Sequence, residues 1–268
     1  MANESIISRR GGFWIKKTLA YAEKYGMCLS KNQLWERLMG PNIFSKKEVL
    51  RAVRKMRVKM EEEKSEVARK KERVARKMAK MISENDQNLL LVGLSGSVAA
   101  ENCKKGDDID ILIVTQKNRL WRSRLKLKWF LKKKQVSCRK YGEAKKKDDF
   151  CFIIWLEEDS LGLPPEKRTE KSAVDLILLK VLVDKNGIYE KFLRENGWVA
   201  KWMATPYKER LKAERQKLKT EKKVDDEAES DRGGRLINCL MFGIQYLYMW
   251  PKIEREKVTQ KRVFFHRD

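Results

Sequence analysis

The sequence predicts an α+β protein: an N-terminal helical unit, a small mixed-sheet core and a helical C-terminal part. Three observations lead there. Residues 13–59 carry apolar side chains at helical spacing, with capping residues where each run starts. "LLLVGL" (89–94) and "IDILIVT" (109–115) are short β-rich runs separated by a polar loop. A basic amphipathic run, "RLWRSRLKLKWFLKKK" (119–134), then precedes a third strand-like run, "DFCFIIWL" (149–156). Strand, loop, strand, helix, strand is the order of an α+β or α/β core.

Taken in order, "FWIKKTLAYAEKYG" is a helix that stops at Gly26. "SKNQLWERLMG" is a second, with Ser30 as its cap and Gly40 as its stop, and "SKKEVLRAVRKM" a third that opens on a Ser45/Glu48 capping box. Three short helices suit a helix-turn-helix unit; a small bundle that only packs is the alternative. "EEEKSEVARKKERVARKMAKMI" (61–82) is rich in strong helix formers and mixed charge, and is expected to be an exposed or one-sided connecting helix. Beyond the core, "EKSAVDLILLKVLVDK" and "IYEKFLRENGWVAKWM" read as two helices with Gly187 between them. "PYKERLKAERQKLKTEKKVDDEAESDRGG" (206–234) reads as an exposed helix or linker, and a last apolar helix ends before Pro251. The expected units are 1–60 (helix-turn-helix-like), 61–84 (connecting helix), 85–160 (core), 161–205 (helical extension), 206–233 (charged linker or exposed helix) and 234–268 (C-terminal helix and tail).

Composition narrows the chemistry. The chain of 268 residues has 62 Lys and Arg against 38 Asp and Glu, a formal net charge of +24. Such a surface attracts polyanions, whether nucleic acid, nucleotide phosphates or an anionic membrane face; a charge that serves only solubility is the alternative. The five cysteines are scattered with no Cys-x-x-Cys pair, which argues against a zinc knuckle or a disulfide framework. With a single histidine, His266, the chemistry has to rest on carboxylates. The longest apolar segment, "LINCLMFGIQYLYMW" (236–250), is shorter than the ~20 residues a bilayer span needs, so a cytoplasmic protein without a membrane partner is expected.

The carboxylates that matter lie in "LLLVGLSGSVAAENCKKGDDIDILIVT" (89–115). An acid at the mouth of a buried strand needs a cation or hydrogen bonds. Asp108 and Asp110 are two apart, so in a strand both project to one side. Two convergent carboxylates form a hard oxygen site suited to Mg²⁺, which keeps waters and takes further ligands from phosphate. Facing it, Gly96 lets backbone approach phosphate oxygens, and Ser97 offers a hydroxyl and an amide. The alternative is a surface loop whose acids neutralise Lys104 and Lys105. A calcium-binding EF-hand loop fails for want of its central Gly and terminal Glu. No Gly-Lys-Ser/Thr follows Gly96, and "GLSGSV" does not spell the dinucleotide fingerprint.

Gly96-Ser97, followed by Asp108-x-Asp110 within "DIDILIV", resembles the signature of the nucleotidyltransferase fold shared with DNA polymerase beta, kanamycin nucleotidyltransferase and the small MNT-type proteins. The resemblance covers about residues 85–160. It implies that Gly96 and Ser97 hold the outer phosphates of a nucleoside triphosphate such as ATP, that Asp108 and Asp110 bind Mg²⁺, and that the reaction moves a nucleoside monophosphate to an acceptor. The family often has a third carboxylate on the next core strand, and Asp149 is the candidate here, with Asp148 beside it. Glu157 and Glu158 stand at the wrong end of that strand. The overall layout also resembles a bacterial group with an N-terminal winged-helix-like segment, although no wing is legible after "RAVRKM". The competing reading is a nucleic-acid-binding regulator whose core is inactive or senses nucleotide. Arg119, Arg122, Arg124, Lys126, Lys128, Lys132, Arg139 and Lys140 are candidates to guide polyanions, and Trp121 and Trp129 are candidates to stack bases.

Overall fold

The computed structural model describes residues 2–56, 65–138, 149–220, 232–253 and 257–264. Arg139, Lys140, Asp148 and His266 lie outside them, as does the stretch after Met56 where a wing would stand.

Helix α1 (Ala2–Lys24) ends before Gly26, and α2 (Lys31–Glu36) and α3 (Lys46–Lys55) pack on it. Both short helices open on a complete capping box: Ser30 with Gln33, and Ser45 with Glu48. Each box satisfies two backbone donors that the first helical turn would leave without partners. The α2–α3 connection takes residues 37–45, longer than the turn of about 3–4 residues in a helix-turn-helix. Gly40 inside it does not stop α2. At φ +120° its backbone bridges Met203, and a Cβ there would strike the Trp14 ring at 2.5 Å. Met203 is the non-helical residue inside α9 (Ala200–Thr220), so the N-terminal unit is stitched to that kink.

Helix α4 (Glu66–Asn85) turns Ala75, Met78, Ala79 and Ile82 inward together with Lys71, and most of its other charges outward, one-sided as its sequence suggests. The six-stranded sheet has the order β4-β1-β2-β3-β6-β5. Strands β1 (Leu89–Ser95) and β2 (Ile109–Thr115) are antiparallel, and β2 and β3 (Phe150–Glu157) are parallel through α6 (Leu120–Lys133). Alternation along β2 sends Ile109, Ile111 and Ile113 into a core with α4, α6 and Trp155, and Leu112 and Val114 into a second core beneath α7 (Glu170–Leu178), α8 (Ile188–Glu195) and α9.

Two parts of the sheet differ from the sequence reading. The sequence pattern predicts a helix through "KVLVD", but this segment forms β4 (Lys180–Asp184), antiparallel to β1. Its apolar and β-branched residues satisfy either period, and the open edge of β1 settles the choice. The tail, after α10 (Arg232–Met249), returns as β5 (Lys257–Val258) and β6 (Arg262–Phe264), and β6 pairs with β3.

Candidate active site

The site stands where β1 ends and β2 and β3 begin. Ser95, the last residue of β1, pairs with Asp110 in register. The chain then bends at Gly96, with φ +64°, into the five-residue α5 (Gly96–Ala100). A Cβ on Gly96 would lie 2.2 Å from Oδ2 of Asp110, so the carboxylate occupies the space that a side chain would need. Left-handed backbone and this close approach both demand glycine. The bend and the second acid of the pair therefore face each other.

Asp108 is buried just before β2, and Asp110 is half-buried. Asp107, given no role from sequence, ties the loop to the bend: its Oδ2 accepts the Ser97 hydroxyl at 3.2 Å and the Lys104 amide at 2.9 Å. Its carbonyl accepts the ammonium of Lys71, a buried lysine on α4. A lysine in the helix expected to be exposed or one-sided thus helps to position the acidic loop.

The parallel register sets Cys151 beside Asp110, while the Asp149 carbonyl accepts the Ile109 amide at 2.9 Å. Asp149 thus starts β3 alongside the acid pair. Its side chain is 1% exposed and accepts the Ser137 hydroxyl. Burial first, and then the negative charge of Asp149, push the neighbouring Cys138 thiol up to about 11. Among the described residues no group of three or more His, Cys, Asp or Glu side chains could hold a metal ion, and the Asp108–Asp110 pair is the candidate donor set. That donor set, with a glycine cradle for phosphate against it, fits a Mg²⁺ ion that fills its shell with water and phosphate oxygens.

The far end of β3 is structural. Glu157, raised above the usual carboxylate range by burial, takes a long 3.4 Å contact from Asn238, and Glu158 accepts the Lys117 amide at 2.9 Å. Helix α6 is not a uniform basic track either. Arg124 is buried, donates to Gln245 at 2.8 Å, and is lowered to about 10 by that burial. Trp121 is core, its indole N–H bonded to the Gln260 carbonyl, while Trp129 is 76% exposed.

Among the described residues no helix is long and apolar enough to cross a membrane. No curated protein and no solved structure matches the chain. Residues 75–185, from within α4 to just past β4, match the model of the family described as nucleotidyltransferase domain. The segment that builds the bend, the acid pair and four of the six strands is thus similar to nucleotidyltransferase domains, which supports placing it in that superfamily.

Proposed function

We propose that this chain moves a nucleoside monophosphate from a nucleoside triphosphate to an acceptor hydroxyl and releases pyrophosphate. The observation that carries the reading is the approach of Asp110 to the Gly96 bend, which sets a carboxylate against a left-handed glycine turn. In this reading the amides of Gly96 and Ser97 hold the outer phosphates, and the Ser97 hydroxyl exchanges its bond to Asp107 for one to phosphate. Asp108 and Asp110 hold Mg²⁺, which when bound neutralises and orients the triphosphate. Asp149, on leaving Ser137, accepts the proton of the incoming hydroxyl. The acceptor oxygen bonds to the α-phosphorus as the bond from that phosphorus to the pyrophosphate oxygen breaks. Positioning and charge neutralisation supply most of the acceleration.

Incubation with α-labelled nucleoside triphosphates, Mg²⁺ and a cellular extract tests this. A labelled acceptor is expected with the natural chain. Asp108→Asn and Asp110→Asn should each lower labelling by at least ~10³-fold with circular dichroism unchanged, the loss expected when charge stabilisation is removed. Transfer that survives either substitution sinks the assignment.

The second reading is a nucleic-acid-binding regulator with an inactive or nucleotide-sensing core. It draws on the net charge of +24 and on the burial of Asp149 against Ser137. It calls for a duplex-DNA shift that weakens steeply with salt, and for no labelled acceptor.

A further inference from the structure

Helix α10 is apolar on both of its sides. The side it turns to the protein packs Met241, Phe242 and Met249 into the core and carries two amides among them. Asn238 Oδ1 accepts the Trp121 amide at 2.9 Å, while Gln245 donates to the Trp121 carbonyl at 2.9 Å and accepts from Arg124 at 2.8 Å. The side it turns to solvent carries Leu236, Ile237, Leu240, Ile244 and Leu247, between 46% and 73% exposed. Tyr248 and Trp250, on the same helix end and its continuation, are exposed as well. Isolated exposed leucines need no explanation, but a continuous apolar face does.

We infer that this face is a homodimer interface, in which α10 packs against α10 of a second copy. The spacing is the first argument. Ile237, Leu240, Ile244 and Leu247 follow a 3-4-3 rhythm with Ile and Leu alternating, the choice that favours two-stranded helix pairing. Gly243 is the second. It sits in mid-helix beside this stripe, where glycine costs about 1 kcal/mol relative to alanine, and a Cβ on it would meet nothing within 4 Å. Among the described residues nothing requires glycine there, whereas a second helix approaching closely would.

Charge is the third argument. From Leu236 to Trp250 there is no Asp, Glu, Lys, Arg or His, so α10 itself sets no like charges against its copy, and the Lys128 ammonium of α6 lies beside the Tyr248 ring, 5.8 Å from its centroid. An amphipathic helix lying on an anionic bilayer would instead display Lys and Arg on its own polar side, and that side of α10 is occupied by Asn238 and Gln245 bonded to α6. Area agrees. At roughly 150–250 Å² per large side chain, the exposed fractions leave on the order of 800 Å² of apolar surface, the share each partner gives to a stable interface.

Sedimentation velocity of the full chain across micromolar concentrations tests the inference. A species of twice 31.7 kDa is expected at the upper end. Leu240→Glu with Ile244→Glu should weaken association by at least ~100-fold, since each would bury an unpaired charge. Because both side chains are exposed in the monomer, circular dichroism and Tm should hold. Gly243→Leu separates interface from fold: it should weaken the dimer while leaving the monomer as stable or more so. A monomer at every concentration, or a dimer indifferent to all three substitutions, overturns the proposal. So does a monomer that sediments with phosphatidylserine vesicles through these same residues, which would assign the face to a lipid surface.

Discussion

Oδ2 of Asp110 lies 2.2 Å from the point where a Cβ on Gly96 would stand, and Gly96 itself has φ +64°. One residue thus lacks a side chain so that another's carboxylate can reach the bend. Gly96→Ala would cost ~1–2 kcal/mol for a left-handed alanine, and would push the carboxylate away. The bend is local, so the fold should survive. Binding of Mn²⁺, followed by electron paramagnetic resonance, should weaken by about tenfold or more, and transfer should fall by about 10²-fold, as expected for a misplacement near 1 Å. Unchanged Mn²⁺ affinity would show that the bend and the acid do not form one site.

Asp149 is held by Ser137 and starts β3 beside Ile109. If it accepts the proton of the incoming hydroxyl, Asp149→Asn should lower kcat by about 10²–10⁴-fold, the range for a general base, with KM for the triphosphate little changed. Ser137→Ala removes the hydroxyl that holds the carboxylate and should destabilise by ~1–3 kcal/mol, while transfer persists. Steady-state kinetics of the two variants, with Tm alongside, distinguishes a proton acceptor from a buried structural acid. Equal activity of Asp149→Asn and the natural chain removes the role.

Lys128 is exposed as a residue, yet its ammonium, 5.8 Å from the Tyr248 ring, is lowered to about 8, first by desolvation and then by the Arg124 cation, with Cys138 opposing the shift. The unfolded chain binds the proton more tightly than the folded one, so this residue opposes folding most fully below pH 8. As pH rises from about 8 toward the ordinary lysine value of 10.5, its unfavourable contribution disappears. Lys128→Met should therefore raise Tm near pH 7, and the difference should close at higher pH. Thermal denaturation of both chains across that range checks it; a difference that grows with pH contradicts the sign.

Much of the fold was legible because its signals are local. Ser30 and Ser45 announce their helices through residues three positions on. Beta-rich runs mark β1, β2 and β3, and the Gly96-Ser97 and Asp108-x-Asp110 pattern points to the place where bend and carboxylate meet. The site's supporting residues were not legible. Asp107 bonds the Ser97 hydroxyl from ten positions away, Ser137 reaches Asp149 over a separation of 12, and Lys71 arrives from α4. Spacing along the chain carries no mark of such meetings.

The same distinction separates helix from strand and inside from outside. Capping and periodicity are paid within a few residues, so composition and order establish them before any long-range contact forms. "KVLVD" became β4 because the edge of β1 offered a ladder of hydrogen bonds, and Arg124 was buried because α10 brought Gln245 to meet it. The apolar stretch from Leu236 to Trp250 was visible as a string of letters, but which of its sides met α6 and which met solvent depended on where Trp121 and Arg124 stood. Hydrogen-bond partners and burial belong to pairs of elements, and a pair exists only once the chain has come together.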